Sequence, residues 1–488
     1  MPIDTGLRRL ALRTLLAAFD GPAAPPWALR LLDDGLAGHT LFGSNVAEPA
    51  QVARLTAELR AARADTLIAI DEEGGDVTRL AHRTGSPYPG NAALGAVDDV
   101  DLTRTVHAAI GADLVEAGVN LNLAPTVDVN TADDNPIIGT RSFGADPALV
   151  ARHVAAAVDG LQSTGVAACA KHFPGHGATV ADSHVGLPTV HAPLATLRVR
   201  DLPPFAAAVT AGTKAIMTAH IRVPALTGAD PATFSRATLT GLLRRECGFG
   251  GAIVTDALEM RGAADTAGGI GPAAVHALAA GADLLCLGAR VDRTLVESVA
   301  AEIAAATRDG RLPLARVEDA AERTAALAAS APPAAGPVGS GTRDPARLGY
   351  PAARRAVRVE GSLHDITDPL VVRLTSDPSI AEGRVPWGLR PHLNGTEQLD
   401  VGGAADPTPD SILVRAGTRP IVVVGRHLHR SPRARALVGA LAATHPVVVV
   451  EMGWPSAWRP AGVRAFLTTH GASRANGYAA AEALGLAV

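Results

Sequence analysis

The chain has 488 residues, of which 47% are hydrophobic and 19% are charged, and its formal net charge is −4 at pH 7. This balance is typical of a globular protein and excludes a disordered or fibrous chain. There is no excess of positive charge to bind nucleic acid or an anionic membrane surface, so we expect neither as a partner. At roughly 150 residues per domain, the length predicts two or three domains, or one large barrel with an additional unit.

The first 22 residues have apolar side chains at helical spacing, with Arg8, Arg9 and Arg13 among them. We predict a surface helix here rather than a secretory signal, because no uninterrupted apolar segment and no small-residue cleavage site follow. No run of about 18 uncharged apolar residues occurs in the chain, so no membrane-spanning segment is predicted. The three cysteines have no metal-like spacing and are expected to be reduced thiols in a cytoplasmic protein.

Between residue 37 and about residue 290, short continuous apolar runs alternate with longer Ala-rich stretches that have helical character, such as Asp101–Ala117 and Pro147–Ser163. Continuous apolar strands separated by helices predict a parallel sheet that is covered on both faces. Seven such runs favour a (β/α)8 barrel over a doubly wound sheet, although the pattern does not place the eighth strand. The seven predicted strands are Gly38–Gly43, Thr66–Ile70, Asn120–Pro125, Val166–Lys171, Lys214–His220, Ala252–Asp256 and Ala282–Gly288.

The composition changes near residue 330, where a Pro-, Gly- and Ser-rich segment over 330–345 predicts a linker. Beyond it, further apolar runs and a helix over Pro432–Ala443 predict a second α/β unit built as a three-layer sandwich. The predicted fold class is therefore α/β, with a TIM-like (β/α)8 barrel over residues 1–329 and an α/β sandwich over residues 346–488. The strands predicted in the sandwich are Pro369–Leu374, Ser411–Val414, Pro420–Val424 and Pro446–Glu451.

Polar and charged side chains stand at or just beyond the carboxyl ends of the predicted barrel strands, which is the rim where barrel active sites are assembled. The richest segment is Lys171–Gly177, with the sequence KHFPGHG, which Asp182-Ser183-His184 follows. Its proline and glycines favour an irregular loop, and loops commonly carry function. The rim residues identified in this way are Asp71, Asp128, Lys171, His220 and Asp256.

The histidines and the aspartate of this loop are possible metal ligands. Lys171 stands beside them, however, and its positive charge would repel a cation. The Pro-Gly pair also prevents the helix that would bring His172 and His176 to one face. We therefore expect no metal, and no other cofactor is predicted.

An acid–base interpretation fits the loop better. Asp182 and His184 are separated by one residue, so a tight turn can bring the carboxylate to one imidazole nitrogen while the other nitrogen transfers a proton. Asp256 ends an otherwise apolar strand and is a candidate nucleophile, although an aspartate there could also cap the helix that follows. Asp71 is a similar carboxylate at a strand end. The charges of such acids could be balanced by Arg79, Arg141 and Lys171.

Five segments in this order resemble the bacterial β-N-acetylglucosaminidases, or β-hexosaminidases, of glycoside hydrolase family 3. The resemblance covers roughly residues 30–330 and extends more faintly into the second unit. The segments are AIDEEGGDVTRL, NLNLAPTVDVN, NPIIGTRSFG, KHFPGHG followed by DSH, and TDALEM.

The resemblance implies a retaining double displacement in which Asp256 is the nucleophile, His184 is the general acid/base, and Asp182 is its dyad partner. It further implies a terminal N-acetylglucosamine as the bound sugar and muropeptide fragments as substrates in cytoplasmic cell-wall recycling. We expect a monomer. The residues that the resemblance assigns to binding of the sugar are Asp71, Arg79, Arg141, Lys171 and His172.

Three alternatives stay open at this point. A phosphorylase on the same scaffold would use phosphate in place of water, because a neutral histidine does not repel phosphate as a glutamate would. A β-glucosidase of the same family would take a glutamate acid/base from its second domain, and the Asp182-Ser183-His184 sequence argues against it. A non-catalytic sugar-binding protein would need no group that transfers protons.

Overall fold

The computed structural model describes residues 4–331, 344–403 and 406–487. These residues form two compact units. The first contains residues 4–72, 103–136 and 145–331, and the second contains residues 73–102 and 137–144 together with those from 344 onward. Two short segments from the first half of the chain thus belong to the second unit, whereas the sequence predicted a single division. The predicted linker over 330–345 lies almost entirely outside the described residues, and the predicted domain limits stay a prediction.

Eight short strands of the first unit form one parallel sheet, in which consecutive strands are neighbours and β1 also pairs with β8. A bridge between Val254 and Leu284 joins β7 to the residue before β8, so the sheet is almost closed. The (β/α)8 barrel predicted from the sequence is therefore confirmed. Its strands are β1 (Leu15–Ala17), β2 (Gly38–Leu41), β3 (Leu67–Ile70), β4 (Leu121–Asn122), β5 (Ala167–Phe173), β6 (Ala215–Thr218), β7 (Ala252–Thr255) and β8 (Leu285–Cys286).

The interior of the barrel is filled by small and aliphatic side chains, as expected for a chain with only 3% aromatic residues. Successive strand residues point to opposite faces, so every second residue enters the interior and the others pack against the helices. Both faces are buried, which explains why the strands read as continuous apolar runs. The strand residues of this core include Leu67, Ala69, Ala167, Cys169, Ala215, Met217, Ala252 and Val254.

The N-terminal segment differs from the prediction of a surface helix alone. Its helix covers Thr5–Leu12, with Ala11 and Leu12 buried, and Asp4 caps its first turn. The chain then forms β1, which is the eighth strand that the sequence pattern could not place. Because β1 has only three residues and directly follows residues with helical spacing, the sequence pattern does not reveal it as a separate strand.

Helices connect the strands of the barrel, and one short helix, α4, belongs to the second unit. The two helical stretches predicted from the sequence, now α5 and α6, are confirmed. The helices up to residue 331 are α1 (Thr5–Leu12), α2 (Pro26–Asp34), α3 (Pro49–Ala62), α4 (Asn91–Val97), α5 (Val100–Glu116), α6 (Pro147–Gln162), α7 (Leu194–Arg200), α8 (Leu202–Thr210), α9 (Pro224–Thr227), α10 (Arg261–Ala267), α11 (Ile270–Ala280), α12 (Arg293–Arg308) and α13 (Leu314–Ser330). A π-helix covers Ala237–Glu246.

The second unit contains a six-stranded sheet in the order β11-β10-β12-β13-β14-β9, parallel except for β9. Apolar clusters with helices against them lie on both faces, so the predicted three-layer sandwich is confirmed. The strands are β9 (Arg358–Gly361), β10 (Leu370–Leu374), β11 (Gln398–Val401), β12 (Ile421–Gly425), β13 (Val447–Glu451) and β14 (Ala465–Thr468). Besides α4, its helices are α14 (Ala346–Ala356), α15 (Pro409–Ala416), α16 (Pro432–Ala442) and α17 (Arg474–Ala483).

One predicted strand of this unit, Ser411–Val414, is wrong, because these residues lie in α15. Thr408 caps the helix by accepting a hydrogen bond from the Ser411 backbone N–H, and a proline occupies the first turn. Ile412 is fully buried whereas Val414 is 84% exposed, which is the pattern of an amphipathic helix. The capping signal therefore outweighs the strand preference of isoleucine and valine.

In the described parts of the chain, no helix combines the length and the apolar character needed to cross a membrane.

Candidate active site

Three charged residues continue the inward-pointing pattern of the barrel strands at their carboxyl ends. Asp71, Lys171 and Asp256 each lie two positions beyond the last core residue of β3, β5 and β7, so their side chains fall on the interior side. The Lys171 ammonium donates to Asp71 Oδ1 at 2.6 Å, and the lysine side chain is only 2% exposed. The structure thus brings two of the predicted sugar-binding residues into one partly buried ion pair.

Asp256 follows β7 and remains partly exposed. Among the hydrogen bonds of the described residues, its carboxylate accepts one, from the Ala257 backbone N–H at 2.8 Å. Burial raises the pKa of this carboxyl, but the imidazoles of His220, His172 and His184, together with that N–H, outweigh burial and lower the pKa to about 2. The carboxylate is therefore ionised at neutral pH and keeps room for a reacting group.

Asp182 and His184, the two residues predicted to act as a dyad, lie in hydrogen-bond contact, and their catalytic role stays a prediction. Asp182 Oδ1 lies 2.7 Å from His184 Nδ1 and also accepts the His184 backbone N–H at 2.8 Å. Burial raises the pKa of Asp182, but its hydrogen bonds with His184 outweigh burial and hold that pKa below its ordinary value. An ionised carboxylate beside Nδ1 orients the imidazole ring and favours a hydrogen on Nδ1.

His172 and His176 share a carboxylate that the sequence analysis had given no role. Asp128 Oδ2 lies 2.7 Å from His172 Nδ1, and Asp128 Oδ1 accepts the His176 backbone N–H at 2.6 Å. Asp128 is 1% exposed, and its carboxylate joins His172, at the end of β5, to His176, at the start of the loop that carries Asp182 and His184. Its position just beyond a predicted strand was the available signal.

His220 is a second residue that the sequence identified only as part of the rim. Its Nδ1 lies 2.8 Å from Thr233 Oγ1 and its Nε2 lies 3.1 Å from the Ala257 carbonyl oxygen. Since a carbonyl only accepts, the Nε2 carries the hydrogen. Burial lowers the pKa of His220, although the Asp256 carboxylate opposes this effect. His220 thus supports the backbone beside Asp256.

Arg79 and Arg141, the other two predicted sugar-binding residues, belong to the second unit. Within that unit, Arg141 forms a bidentate ion pair with Glu73, at 2.9 and 2.7 Å, and donates to the Ile137 carbonyl. Arg79 donates to the Ala381 and Glu382 carbonyls. Their proposed role in binding sugar stays a prediction.

The histidines and acids of the loop do not form a metal-binding group. Within the described residues, no set of three or more His, Cys, Asp or Glu side chains has the arrangement that could hold a metal ion. His176 illustrates the reason, since Thr179 Oγ1 lies 2.7 Å from its Nδ1 and Ser183 Oγ lies 3.2 Å from its Nε2.

The first unit thus combines an ionised, accessible carboxylate with a carboxylate–imidazole dyad on a loop at the same rim. The first can attack an electrophilic carbon, and the second can give a proton to a leaving group and later take one from an attacking molecule. The buried lysine and its aspartate partner offer a compact donor and an acceptor to polar groups of a ligand.

Comparisons with known proteins show the family to which the chain belongs. Residues 27–327 match the glycosyl hydrolase family 3 N terminal domain. Beta-hexosaminidase A of Pseudoalteromonas piscicida is 35% identical over 359 residues, which are 68% of this chain but only 59% of that protein. Beta-hexosaminidase of Thiobacillus denitrificans is 40% identical over 263 residues, 52% of this chain and 72% of that protein.

Among solved structures, a family 3 beta-N-acetylglucosaminidase from Paenibacillus sp. str. FPU-7 is similar over nearly the whole chain. The match covers 99% of this chain and 97% of that chain, with a TM-score of 0.87 and 33% sequence identity. The likeness therefore includes both units of the fold.

Proposed function

We propose that this chain, which belongs to glycosyl hydrolase family 3, is a retaining β-N-acetylhexosaminidase. The five ordered motifs predicted this family and a glycoside hydrolase of the β-hexosaminidase type. It would release a terminal β-linked N-acetylglucosamine by double displacement. The observation that carries the proposal is the pairing, at one barrel rim, of the ionised Asp256 with the His184–Asp182 dyad.

In the first step, the Asp256 carboxylate attacks the anomeric carbon and the bond from that carbon to the leaving oxygen breaks. The imidazolium of His184 gives its Nε2 proton to the leaving oxygen, so the leaving group departs as a neutral alcohol. The low pKa of Asp256 supports this role, because the nucleophile must be ionised at the pH at which the enzyme works.

In the second step, the now neutral imidazole of His184 takes a proton from water as the water oxygen attacks the same carbon. The bond to Asp256 breaks and the carboxylate is regenerated. Asp182 keeps its negative charge in both steps and stabilises the imidazolium that forms again. Two displacements on one carbon leave the sugar in its original β configuration.

The sugar in this proposal is held by Asp71, Lys171 and His172 of the barrel. The partly buried Lys171–Asp71 pair supplies one point donor and one acceptor to neighbouring hydroxyl groups, and Asp128 fixes the ring of His172. Arg79 and Arg141 of the second unit remain part of the proposed binding set on the strength of the family resemblance.

The wider context belongs to the same proposal. N-acetylglucosaminides, including muropeptide fragments, are the proposed substrates, and cell-wall recycling in the cytoplasm by a monomer is the proposed setting. The names of the relatives, which are beta-hexosaminidases, support the sugar class and say nothing of the rest.

The proposal is tested by four parallel assays, with an aryl β-N-acetylglucosaminide and the matching β-glucoside, each with and without inorganic phosphate. We expect turnover of the N-acetylglucosaminide that does not depend on phosphate, with free N-acetylglucosamine as the product. Turnover that needs phosphate and yields a sugar phosphate would identify a phosphorylase. Preference for the glucoside would contradict the assigned sugar.

A further inference from the structure

Ser183 lies between the two proposed dyad residues in the chain, and its side chain is turned into the protein, toward His176. Asp182 and His184 are partly exposed, whereas Ser183 is 2% exposed. Its Oγ lies 3.2 Å from His176 Nε2, and its carbonyl oxygen accepts the Gly262 backbone N–H at 3.3 Å. The loop that carries the dyad is therefore fastened at Ser183 to the base of the loop and to the segment that follows Asp256.

The hydrogen positions in this contact follow from the neighbours of His176. The Thr179 hydroxyl donates to the His176 carbonyl oxygen at 3.0 Å, which uses its only hydrogen. We therefore assign Thr179 Oγ1 as the acceptor at its 2.7 Å contact with His176 Nδ1 and place the ring hydrogen on Nδ1. Nε2 is then an acceptor, and the Ser183 hydroxyl donates to it.

His176 is a rigid point of attachment for this bond. Its backbone N–H is bound by Asp128, and its carbonyl oxygen also accepts from Asn135 Nδ2 at 2.9 Å. The side chain is buried, and burial lowers the pKa of the ring to about 4, helped by the neighbouring His172. The ring therefore stays neutral at neutral pH and keeps its acceptor on Nε2.

We propose that Ser183 is a positioning residue, whose hydrogen bond to His176 holds the dyad loop so that the Nε2 of His184 reaches the leaving oxygen. The proposal rests on the proposed function and adds to it a fixed link from Asp128 through His176 to the acid/base. Loss of the bond leaves Asp182, His184 and Asp256 intact. It allows the loop to move, so the proton donor is in place for a smaller fraction of the time.

The test compares Ser183→Ala with the wild type on two substrates, an N-acetylglucosamine disaccharide and a nitrophenyl N-acetylglucosaminide. The disaccharide has a poor leaving group that must be protonated, whereas nitrophenolate departs without a proton. We expect kcat/KM to fall about tenfold for the disaccharide and less than about twofold for the nitrophenyl glycoside. Val180→Ala, a truncation at a 73% exposed position of the same loop, is the matched control and should leave both rates unchanged.

Two further variants separate positioning from general damage. Ser183→Thr keeps a hydroxyl and should restore most of the selective loss. In His176→Phe, the Ser183→Ala change should have no further effect on the ratio of the two rates, because the bond is already absent. Thermal midpoints of all variants report whether the fold survives.

An equal loss on both substrates, no loss on the disaccharide, or additive losses in the double variant would overturn the assignment to Ser183. Wild-type rates alone test the proposed function, whereas the ratio between substrates tests the role of Ser183, so the two failures are distinguishable.

Discussion

The two ends of the barrel each hold a partly or fully buried aspartate, and the two aspartates have opposite surroundings. Asp283, at the amino end of β8, is 0% exposed and is bound by Arg244, by Arg316 at 2.6 Å and by the Ile253 backbone N–H at 2.8 Å. Asp256, at the carboxyl end of β7, is partly exposed, and within the described residues its carboxylate accepts one hydrogen bond, from the Ala257 backbone N–H.

The difference shows how a structural carboxylate can be distinguished from a reactive one. Asp283 is fully buried and is bound by two guanidinium groups and a backbone N–H, so a substrate cannot reach its oxygens. Asp256 is surrounded by imidazoles that hold it ionised without occupying it. A carboxylate that is charged, accessible and only lightly bonded is suited to attack a carbon atom.

The largest effect should come from Asp256→Ala. We expect kcat to fall roughly 10⁴-fold or more, because the covalent intermediate cannot form. The thermal midpoint should stay close to that of the wild type, since the side chain contributes few bonds. A 2-fluoro sugar that traps the intermediate should label Asp256 in the wild type, as seen by peptide mass spectrometry. A label on another carboxylate would remove Asp256 from this role.

Asp283→Asn should lower the stability of the fold and leave kcat nearly unchanged, which is the reverse of the result expected for Asp256→Ala. Removing the charge takes the carboxylate partner from Arg244 and leaves Arg316 with Asp319 alone, in a largely buried position, which should cost about 3 kcal/mol of the free energy of unfolding. Urea denaturation measures this loss. The kcat of the molecules that remain folded should be nearly unchanged, and a large fall in kcat would show that the network at the amino end acts on catalysis.

Much of this comparison could be read from the sequence. The continuous apolar runs predicted seven barrel strands, and the alternation within them, extended by two residues, places Asp71, Lys171 and Asp256 inward. The three-residue strand β1 could not be found, because a strand so short has no pattern of its own. Ser411–Val414 was misassigned because its capping threonine and proline lie before the apolar run.

The finer parts of the site depend on contacts between distant segments. Asp128 and His220 were recognisable as rim residues, but their partners His172, His176 and Thr233 lie on other segments, and spacing along the chain does not reveal such pairs. The assignment of residues 73–102 and 137–144 to the second unit also depends on contacts with distant segments, which the sequence does not reveal. Ser183 was hidden by its position between two residues with more evident chemistry.

His184→Ala should have an effect that depends on the substrate. We expect kcat/KM to fall roughly 10²–10³-fold for a disaccharide and less than about tenfold for a nitrophenyl glycoside, because only the disaccharide needs a proton on its leaving oxygen. Added azide, a small nucleophile that needs no general base, should restore part of the nitrophenyl rate. Equal losses on the two substrates would mean that His184 binds the sugar and that another group transfers the proton.

Asp182→Asn should give a smaller loss of the same kind, together with a change in pH dependence. The pKa of Asp182 lies below its ordinary value, so its carboxylate is charged throughout the neutral range and favours the imidazolium form of His184. Asparagine removes this charge, so the imidazolium loses its proton at lower pH. The alkaline limb of the kcat/KM profile for the disaccharide should therefore move to lower pH, and an unchanged limb would show that the charge of Asp182 is not felt by the acid.

The two lysines of the chain give the smallest effect and the most direct comparison of the two barrel ends. Lys171 lies in the carboxyl-terminal half of β5 with its ammonium on Asp71, whereas Lys214 is exposed immediately before β6, at the amino end. Lys171→Arg should lower kcat/KM at least about tenfold, because a planar fork cannot occupy the buried site of a compact point donor. Lys214→Arg should change it less than about twofold, since an exposed arginine meets no such restriction.

Both changes keep the charge, so a difference between them isolates shape. The measurement is kcat/KM for the nitrophenyl glycoside with thermal midpoints alongside. If the two variants behave alike at equal stability, Lys171 makes no shape-dependent contact with the sugar and the carboxyl rim is less selective than its Lys171–Asp71 ion pair indicates.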